Sequence, residues 1–254
     1  MRLDLALVDR GSARSRSHAR QLIDSDRVRV AGVSRVRAST QVGEDAVIDV
    51  LLDHYVSRGA HKLVHALDEC GLSVAGRVLD AGASTGGFTQ VLLERGARQV
   101  YAVDVGHGQM AGLLRDDTRV VLREGVNLKD LDLDTVGGHR VDLVVADVSF
   151  ISLRLILDRL LAVVAADGAA LVLVKPQFEV GRGGLDSHGV VVDDDHRARA
   201  VAAVVACARD AGWSLAWSAP SAVIGEKGNQ EVFCLFRRGE ADGESSTAHE
   251  SDSA

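Results

Sequence analysis

The stretch Val78-Leu-Asp-Ala-Gly-Ala-Ser-Thr-Gly-Gly-Phe-Thr89 decides the fold of this chain. Its first two residues are typical of a buried strand, which we expect to end at Asp80. The glycines that follow permit positive φ angles and a close approach of the backbone to a ligand. Thr85 is a candidate N-cap for a helix that begins near Gly87. A strand, a glycine-rich turn and a helix in this order present free backbone N–H groups to a nucleotide-like ligand.

From residue 77 onward, short apolar runs alternate with helical patterns. Continuous runs such as Val141-Asp-Leu-Val-Val-Ala146 favour strands of a parallel sheet that is covered on both faces. The pattern predicts an α/β fold with a doubly wound, Rossmann-like sheet that binds its ligand at the carboxyl ends of the strands. The predicted strands are Arg77–Asp80, Gln99–Val103, Arg119–Leu122, Val141–Ala146, Ala170–Val174, Ser214–Ser218 and Val232–Phe236. The predicted helices are Gly87–Arg95, His107–Leu114, Leu153–Ala165 and Asp194–Ala211.

The glycine-rich turn alone does not separate a dinucleotide enzyme from one that uses S-adenosylmethionine. Ser84 occupies the middle position of the Gly-x-Gly-x-x-Gly pattern, which disfavours the packing of a pyrophosphate. Asp80 can accept from the ammonium of a methionine moiety or from a bound water. Asp104 suits a ribose diol but also serves dinucleotide enzymes, and Asn127 either lies beside an adenine or is an ordinary loop residue. The candidate cofactor-binding residues are Asp80, Gly82, Ala83, Ser84, Thr85, Gly86, Gly87, Phe88, Asp104, Val105, Asn127 and Asp147.

The N-terminal segment is basic, although the whole chain carries a net charge of −7. Residues 1–37 contain nine arginines against four aspartates, a net charge of +5. Such clustering is typical of nucleic-acid binding, and a solvated arginine-rich face gives the same pattern. We predict a small α+β module over residues 1–50: a short helix ended by Gly11, a second helix over residues 16–23 capped by Ser15 or Ser17, a hairpin of residues 27–30 with 33–36, and a strand over residues 47–50.

This module resembles a known RNA-binding domain. Ser15-Arg-x-x-Ala-x-x-Leu-Ile23 followed by Val28-x-Val-x-Gly32 is similar to the S4-like domain, whose members read RNA backbone and shape with basic helix residues. Asp26 departs from this pattern, since the family usually has glycine there. The resulting candidate RNA-binding residues are Arg2, Arg14, Arg16, Arg20, Arg27 and, beyond the module, Arg58.

Composition places the chain among ordinary soluble proteins, with 46% hydrophobic and 26% charged residues. No apolar run approaches the ~18 residues of a membrane span, and Asp4 and Asp9 interrupt any signal-peptide core. The three scattered cysteines favour a reducing cytoplasm and lack metal-ligand spacing. We therefore expect no membrane and no metal. Residues 51–57 are the expected linker to a domain over residues 58–238, and the acidic tail from 239 to 254 is expected to be disordered.

Polar residues follow the later strands at the same sheet edge as the glycine-rich turn. Asp147 ends the fourth predicted strand and Lys175 the fifth, so the two side chains should converge. An ion pair without a catalytic role is one interpretation of such a meeting. Glu231 opens the last strand and reaches the same edge if that strand is antiparallel. Lys62 lies in the first turn of a further predicted helix, where a cation opposes the helix dipole, although surface lysines also occur there.

Five motifs resemble the TlyA (haemolysin A) family: residues 55–62, 80–88, 146–150, 174–179 and 228–231. That family comprises ribosomal RNA 2′-O-methyltransferases with an S4-like domain followed by an FtsJ-type domain. The resemblance covers nearly the whole chain except the acidic tail. It implies a class I S-adenosylmethionine-dependent methyltransferase fold, seven-stranded and mostly parallel with an antiparallel last strand. It also implies cytidine targets in the rRNA of both ribosomal subunits and a catalytic tetrad, which falls here on Lys62, Asp147, Lys175 and Glu231.

The tetrad suits methylation of a ribose hydroxyl, which is a weak acid and a poor nucleophile. Lys175 would have to be neutral to act as general base, whereas a lysine is normally protonated at neutral pH. Burial and the neighbouring charge of Lys62 would favour the neutral amine, and Asp147 and Glu231 would orient the two lysines. Two other functions remain open: a non-catalytic RNA-binding protein with this fold, and a haemolysin, as the family's older name suggests.

Overall fold

The computed structural model describes residues 1–24, 27–34, 36–50, 54–225 and 227–239. Asp26, residues 51–53 of the expected linker and residues 240–254 of the expected tail lie outside these ranges. The chain divides into two compact units, the first spanning Met1–His54 and the second beginning at Tyr55. Val56, inside the expected linker, donates its backbone N–H to the side chain of Gln90 in the second unit, at 2.9 Å.

The first unit contains two helices and one small antiparallel ribbon. Helix α1 spans Leu3–Asp9 and α2 spans Arg16–Asp24, while β1 (Val28–Val30) pairs with β2 (Ile48–Val50). Apolar side chains of both helices and of β1 form its core, including Leu3, Leu7, Ala19, Leu22 and Val28. The expected cap is confirmed at Ser15, whose hydroxyl accepts from the backbone N–H of His18 at 3.2 Å.

The predicted hairpin of the first unit is wrong. Residues 31–32 do turn, with Ala31 and Gly32 both at positive φ, but Val33 makes only an isolated bridge with Val30. Strand β1 instead pairs with the distant β2, and the N–H of Ala31 donates to the carbonyl of Val47. The turn chemistry was therefore visible in the sequence, whereas the pairing partner was set by a long-range contact.

The second unit is built on a seven-stranded sheet with the strand order β5-β4-β3-β6-β7-β9-β8. Strands β3 to β7 are parallel, and β9 runs antiparallel to both of its neighbours. Their bounds are Arg77–Ala81 (β3), Gln99–Asp104 (β4), Val120–Glu124 (β5), Val141–Ala146 (β6), Val164–Val174 (β7), Trp213–Pro220 (β8) and Val232–Arg238 (β9). The predicted fold class is confirmed, including the antiparallel last strand.

Helices cover both faces of this sheet because neighbouring strand residues point to opposite sides. Strand residues such as Val78 pack with α3 and α4 on one face, and Leu79 lies in the core that α6 and α8 complete on the other. The helices are α3 (Gly59–Cys70), α4 (Gly87–Glu94), α5 (Gly112–Arg115), α6 (Leu157–Ala162), α7 (Pro176–Glu179) and α8 (Asp194–Asp210). Among the helices of the described residues, none is long and apolar enough to cross a bilayer.

Two predicted helices are shorter than expected. The helix expected over residues 107–114 is only α5, because Gly106 and Gly108 donate their N–H groups to Asp104 and Glu124 in a turn. The helix expected over residues 153–165 is a 3-10 turn followed by α6, since Val164 already pairs with Val141 at the start of β7. In the first case carboxylates at strand ends, and in the second the pairing of β7, replaced part of the predicted helix.

Candidate active site

The glycine-rich loop lies at the carboxyl end of β3, where the strand order reverses between β4 and β6. This switch point is the ligand-binding crevice of open α/β sheets. The expected N-cap at Thr85 is wrong: Gly86 holds that position with φ at 96°, and no side chain caps α4. Ser84 also lies in the left-handed region, with φ at 46°. The first N–H groups of α4 are therefore not consumed by a capping side chain.

Close packing explains why glycine is required in this loop. A Cβ on Gly82 would lie 2.7 Å from the backbone oxygen of Asp147, and one on Gly86 would collide with the side chain of Leu114. A Cβ on Gly87 would meet the hydroxyl of Ser57, which precedes α3. The loop is thus held between the ends of neighbouring elements, so its backbone is fixed where a ligand would approach.

Asp104 fixes the loop against the end of β4. Its carboxylate accepts from the backbone N–H of Ser84 at 2.8 Å and of Gly106 at 2.7 Å, one bond to each oxygen. Each oxygen retains a further lone pair, so the carboxylate can still accept from a diol. Beyond it, Val105 is exposed and Asn127 caps a 3-10 turn by accepting from the N–H of Lys129 at 3.1 Å.

Asp80 is a fully buried carboxyl with one unsatisfied oxygen. Its Oδ2 accepts from the hydroxyl of Thr89 at 2.6 Å, whereas Oδ1 has no hydrogen-bond partner among the described residues. Burial raises the pKa of Asp80 to about 7, with the negative charges of Asp147 and Asp104 adding to the effect and the Thr89 hydroxyl opposing it. A buried acceptor of this kind fits the ammonium of a methionine moiety, because a cation would satisfy the oxygen and compensate its charge.

Lys175 and Asp147 meet at the ends of β7 and β6, as the sequence predicted. The Lys175 amine lies 2.7 Å from Oδ1 of Asp147, although the angles fall outside hydrogen-bond geometry. The same amine donates to the hydroxyl of Ser149 at 2.8 Å. Lys175 is almost fully buried, so both partners act on an amine with little solvent around it.

Lys62 and Glu231 form the second ion pair of the site. The Lys62 amine donates to Oε2 of Glu231 at 2.5 Å, and only 3% of the Glu231 side chain is exposed. Gln177, two residues after Lys175, donates to the other oxygen of Glu231 at 3.4 Å. The antiparallel course of β9 is what brings Glu231, just before that strand, to the carboxyl edge of the sheet. The four predicted tetrad residues therefore form two adjacent ion pairs.

Comparison with known proteins assigns both units. Residues 55–238 match the family model of the FtsJ-like methyltransferases, and residues 1–48 match that of the S4 domain. The chain is 49% identical over 240 residues, 93% of its length, to the 16S/23S rRNA (cytidine-2′-O)-methyltransferase TlyA of Mycobacterium tuberculosis, of which it covers 89%. This chain belongs to the TlyA family. It is therefore a methyltransferase of the FtsJ-like class with an S4 domain.

Other TlyA-family relatives and solved structures agree. Hemolysin A of Brachyspira hyodysenteriae is 37% identical, with coverage of 93% of this chain and 99% of the relative. The solved structure of a candidate hemolysin from Streptococcus thermophilus matches with a TM-score of 0.75 at 33% identity, covering 95% of this chain and 89% of that one. An S-adenosylmethionine-dependent methyltransferase from Listeria monocytogenes shares the fold alone, with a TM-score of 0.55 at 16% identity over 72% of this chain and all of that one.

Several side chains of this TlyA-family site had no role in the sequence prediction. Glu179 has a buried carboxylate that accepts from the hydroxyl of Ser152 at 2.6 Å, the N–H of Leu153 at 2.7 Å and the guanidinium of Arg154 at 3.1 Å. It therefore anchors the segment after Asp147. Ser149 and Gln177 contact the two ion pairs. Glu179, Ser149 and Gln177 lie inside the five motifs. Only the tertiary contacts reveal what each side chain touches.

Phe150 is an exposed aromatic residue beside the catalytic candidates. Its side chain is 92% exposed, and its φ of 65° lies in the left-handed region that bulky residues rarely adopt. The ring centroid of Phe178 lies 5.5 Å away. The ring contacts Phe178 yet is almost entirely exposed, so the strained backbone leaves a large apolar surface open to a ligand.

Three of the predicted RNA-binding arginines of the TlyA-family S4 domain surround one buried carboxylate. Asp4 is fully buried and lies 2.9 Å from Arg2, 3.1 Å from Arg16 and 3.5 Å from Arg20. The guanidinium groups of Arg2 and Arg16 hold the pKa of Asp4 well below its usual range. Arg14 and Arg58 are exposed and Arg27 is half-buried. Within the described residues, no group of histidine, cysteine and carboxylate side chains has the arrangement of a metal site.

Proposed function

We propose that this chain methylates the 2′-hydroxyl of a ribose in ribosomal RNA, with S-adenosylmethionine as donor and Lys175 as general base. The observation that carries the proposal is the pair of buried ion pairs, Lys175–Asp147 and Lys62–Glu231, beside the glycine-rich loop. The relatives from M. tuberculosis and Campylobacter jejuni are named cytidine-2′-O-methyltransferases, of 16S/23S and of 23S rRNA respectively. Those names favour a cytidine in the rRNA of the small subunit, the large subunit or both. A ribosomal substrate would mean that the reaction takes place in the cytoplasm.

The cofactor would occupy the crevice at the end of β3. Asp80 would accept from its ammonium, Asp104 from its ribose diol, and the loop from Gly82 to Phe88 would line it, with Val105 and Asn127 beside the adenine. S-adenosylmethionine supplies a methyl group that its sulfonium already activates. The task left to the protein is to hold the ribose hydroxyl in line and to accept its proton.

Lys175 has the surroundings of a proton acceptor. A neutral amine has two N–H bonds and one lone pair, and Ser149 and Asp147 both lie within 2.8 Å of Nζ. One N–H bond is donated to Ser149, and Asp147 contacts Nζ outside hydrogen-bond geometry, so the lone pair can face the ribose hydroxyl. The proton taken from the hydroxyl forms an ammonium, which the Asp147 carboxylate stabilises. A guanidinium cannot replace this amine, because it does not lose its proton near neutral pH.

Lys62 supplies the second positive charge of the site. Glu231 holds its amine at 2.5 Å, and Gln177 holds Glu231 in turn. An ammonium fixed here stabilises the negative charge that develops on the ribose oxygen as the hydroxyl loses its proton. Glu231 keeps the pair close to neutral, which offsets the cost of a charged Lys62 whose side chain is only 12% exposed.

The remaining surfaces suit a polynucleotide acceptor. Arg2, Arg14, Arg16, Arg20 and Arg27 of the first unit would contact RNA phosphates, and Arg58 would do so next to α3. The exposed ring of Phe150 would stack on the base of the nucleotide to be methylated, since stacking on aromatic side chains is how proteins hold unstacked RNA bases.

A labelled-cofactor assay on purified small and large ribosomal subunits tests the proposal. The wild-type protein should transfer methyl groups to a ribose, and Lys175→Ala and Lys175→Arg should each lower the rate about 100-fold or more, as expected for loss of a general base. Both variants should bind S-adenosylhomocysteine with unchanged affinity. Wild-type turnover in Lys175→Ala would refute the role of this lysine.

The same assay separates the alternatives. A non-catalytic RNA-binding protein would bind the subunits and transfer no methyl group. The Brachyspira relative carries the name Hemolysin A, so purified, detergent-free protein should also be incubated with erythrocytes. Lysis without methyl transfer would favour a haemolytic activity over the proposed methyltransferase activity.

A further inference from the structure

A cleft of about 370 Å³ lies between the chain that follows α7 and the first half of α8. We call it the α8 cleft. Its floor and walls are small or apolar, and its polar side chains come from two arginines, a histidine and a glutamate. Its lining comprises Val180, Gly181, Gly183, Gly184, Ala200 and Ala203, with Arg154, Glu179, His196 and Arg199. The volume is in the range of small-ligand pockets, and the lining includes no residue of the glycine-rich loop or of the tetrad.

Two chain segments connect the α8 cleft to the catalytic candidates. Helix α7 begins directly after Lys175 and spans one turn, about 6 Å, before Glu179 reaches the cleft. The segment from Asp147 to Arg154 runs the same way, because Glu179 binds Arg154 at its far end. The rings of Phe150 and Phe178, one on each segment, contact each other in a tilted arrangement between the two ends. The cleft is therefore a direct continuation of the proposed acceptor site.

The charge of the cleft favours a phosphate. The only carboxylate in its lining, Glu179, has 1% of its side chain exposed and is already engaged by three donors. Arg154 uses its Nε and one terminal nitrogen on Glu179, which fixes the guanidinium and leaves its other donors open. Arg199 is exposed and interacts electrostatically with Asp193, but it has no hydrogen-bond or ion-pair partner within contact distance among the residues that the structure describes. A fixed and an exposed guanidinium thus flank the cleft, and its one lining carboxylate is already engaged.

We infer that the α8 cleft binds a nucleotide adjacent to the one whose ribose is methylated. Its phosphate contacts Arg154 and Arg199, and its base lies on the floor formed by the glycines and by Ala200 and Ala203. Planar guanidinium groups suit phosphate oxygens, and a small apolar floor suits a base without selecting its sequence. This inference rests on the proposed function, because it takes RNA as the acceptor and Lys175 as the place of reaction.

Two variants of the α8 cleft and one matched control test the inference. Arg199→Ala removes the open cation, Ala203→Phe fills the cleft without a change of charge, and Arg209→Ala removes an exposed arginine from the last turn of the same helix. Methyl transfer to purified ribosomal subunits is measured for KM and kcat at several salt concentrations, together with the affinity for S-adenosylhomocysteine.

Arg199→Ala should raise KM for the subunits about tenfold, the effect of one lost charged hydrogen bond, and reduce the salt slope by about 0.7, the value for one single-stranded phosphate. Ala203→Phe should raise KM with an unchanged salt slope. Both should leave kcat and cofactor affinity intact, and Arg209→Ala should match wild type. An unchanged KM in both cleft variants, or an equal change in Arg209→Ala, overturns the inference. Absence of methyl transfer by wild-type protein would instead overturn the proposed function.

Discussion

Replacing Asp80 by asparagine should stabilise the protein and at the same time weaken its cofactor binding. Burial raises the pKa of Asp80 to about 7 in the folded state, whereas an aspartate in an unfolded chain titrates near 3.9. Between these values the folded state binds a proton that the unfolded state has lost, so the free energy of unfolding falls as pH rises. The slope is about 1.4 kcal/mol per pH unit and falls to half at the folded-state pKa, so the stability lost between pH 5 and pH 7 is about 2 kcal/mol.

The assay is urea unfolding of the full chain at several pH values. Wild-type protein should lose stability from pH 5 to pH 7, whereas Asp80→Asn should lack this loss and be more stable at pH 8 by about 4 kcal/mol. An asparagine oxygen can still accept from Thr89, so the fold should persist. Asp116→Asn, an exposed change of the same chemistry between β4 and β5, serves as the control and should follow wild type.

Cofactor affinity should depend on pH in the opposite direction and increase as pH rises. A ligand ammonium favours the ionised carboxylate, so wild-type affinity for S-adenosylhomocysteine should fall as pH drops below about 7, by up to tenfold per unit. Asp80→Asn should bind weakly at every pH, and calorimetry measures both. If the free energy of unfolding has the same pH dependence in wild type and Asp80→Asn, the raised pKa of the buried Asp80 carboxyl is refuted. A pH-dependent affinity retained in Asp80→Asn would remove it from the ammonium site.

Three further outcomes are expected. Glu231→Gln should cost about 3 kcal/mol of stability, because it leaves the Lys62 ammonium buried without its partner. The double variant Lys62→Met with Glu231→Leu should regain stability but not methyl transfer. Urea unfolding and the methyl-transfer assay measure the two effects. Phe150→Gly should stabilise the fold by about 1 kcal/mol through relief of a left-handed φ, yet lower kcat/KM for RNA by a factor of about 10 or more through lost stacking; a variant as active as wild type contradicts the stacking role. Asp4→Asn should lower the melting temperature above pH 4 and weaken RNA binding, with the stability difference vanishing as pH falls through the depressed pKa of Asp4; an unchanged melting temperature would show that its arginine contacts contribute nothing.

The sequence determined the architecture of the second unit because its signals are local. Continuous apolar runs mark strands covered on both faces, and the glycines from Gly82 to Gly87 mark the turn after β3. Polar residues that directly follow a strand, such as Asp147 and Lys175, then meet at one edge of a parallel sheet. Five ordered motifs were also enough to indicate the family, which the two family models and the relative from M. tuberculosis confirm.

Only the tertiary structure decided which polar groups pair and how deeply they are buried. Lys62 and Glu231 are 169 residues apart, and their contact depends on the antiparallel entry of β9 between β7 and β8. Asp80 carries its raised pKa because α4 and the neighbouring strands exclude water from it, which no pattern around residue 80 encodes. Long-range pairing, burial and left-handed backbone, as at Phe150, arise from the whole packed chain, since each depends on contacts between segments that the local sequence does not specify.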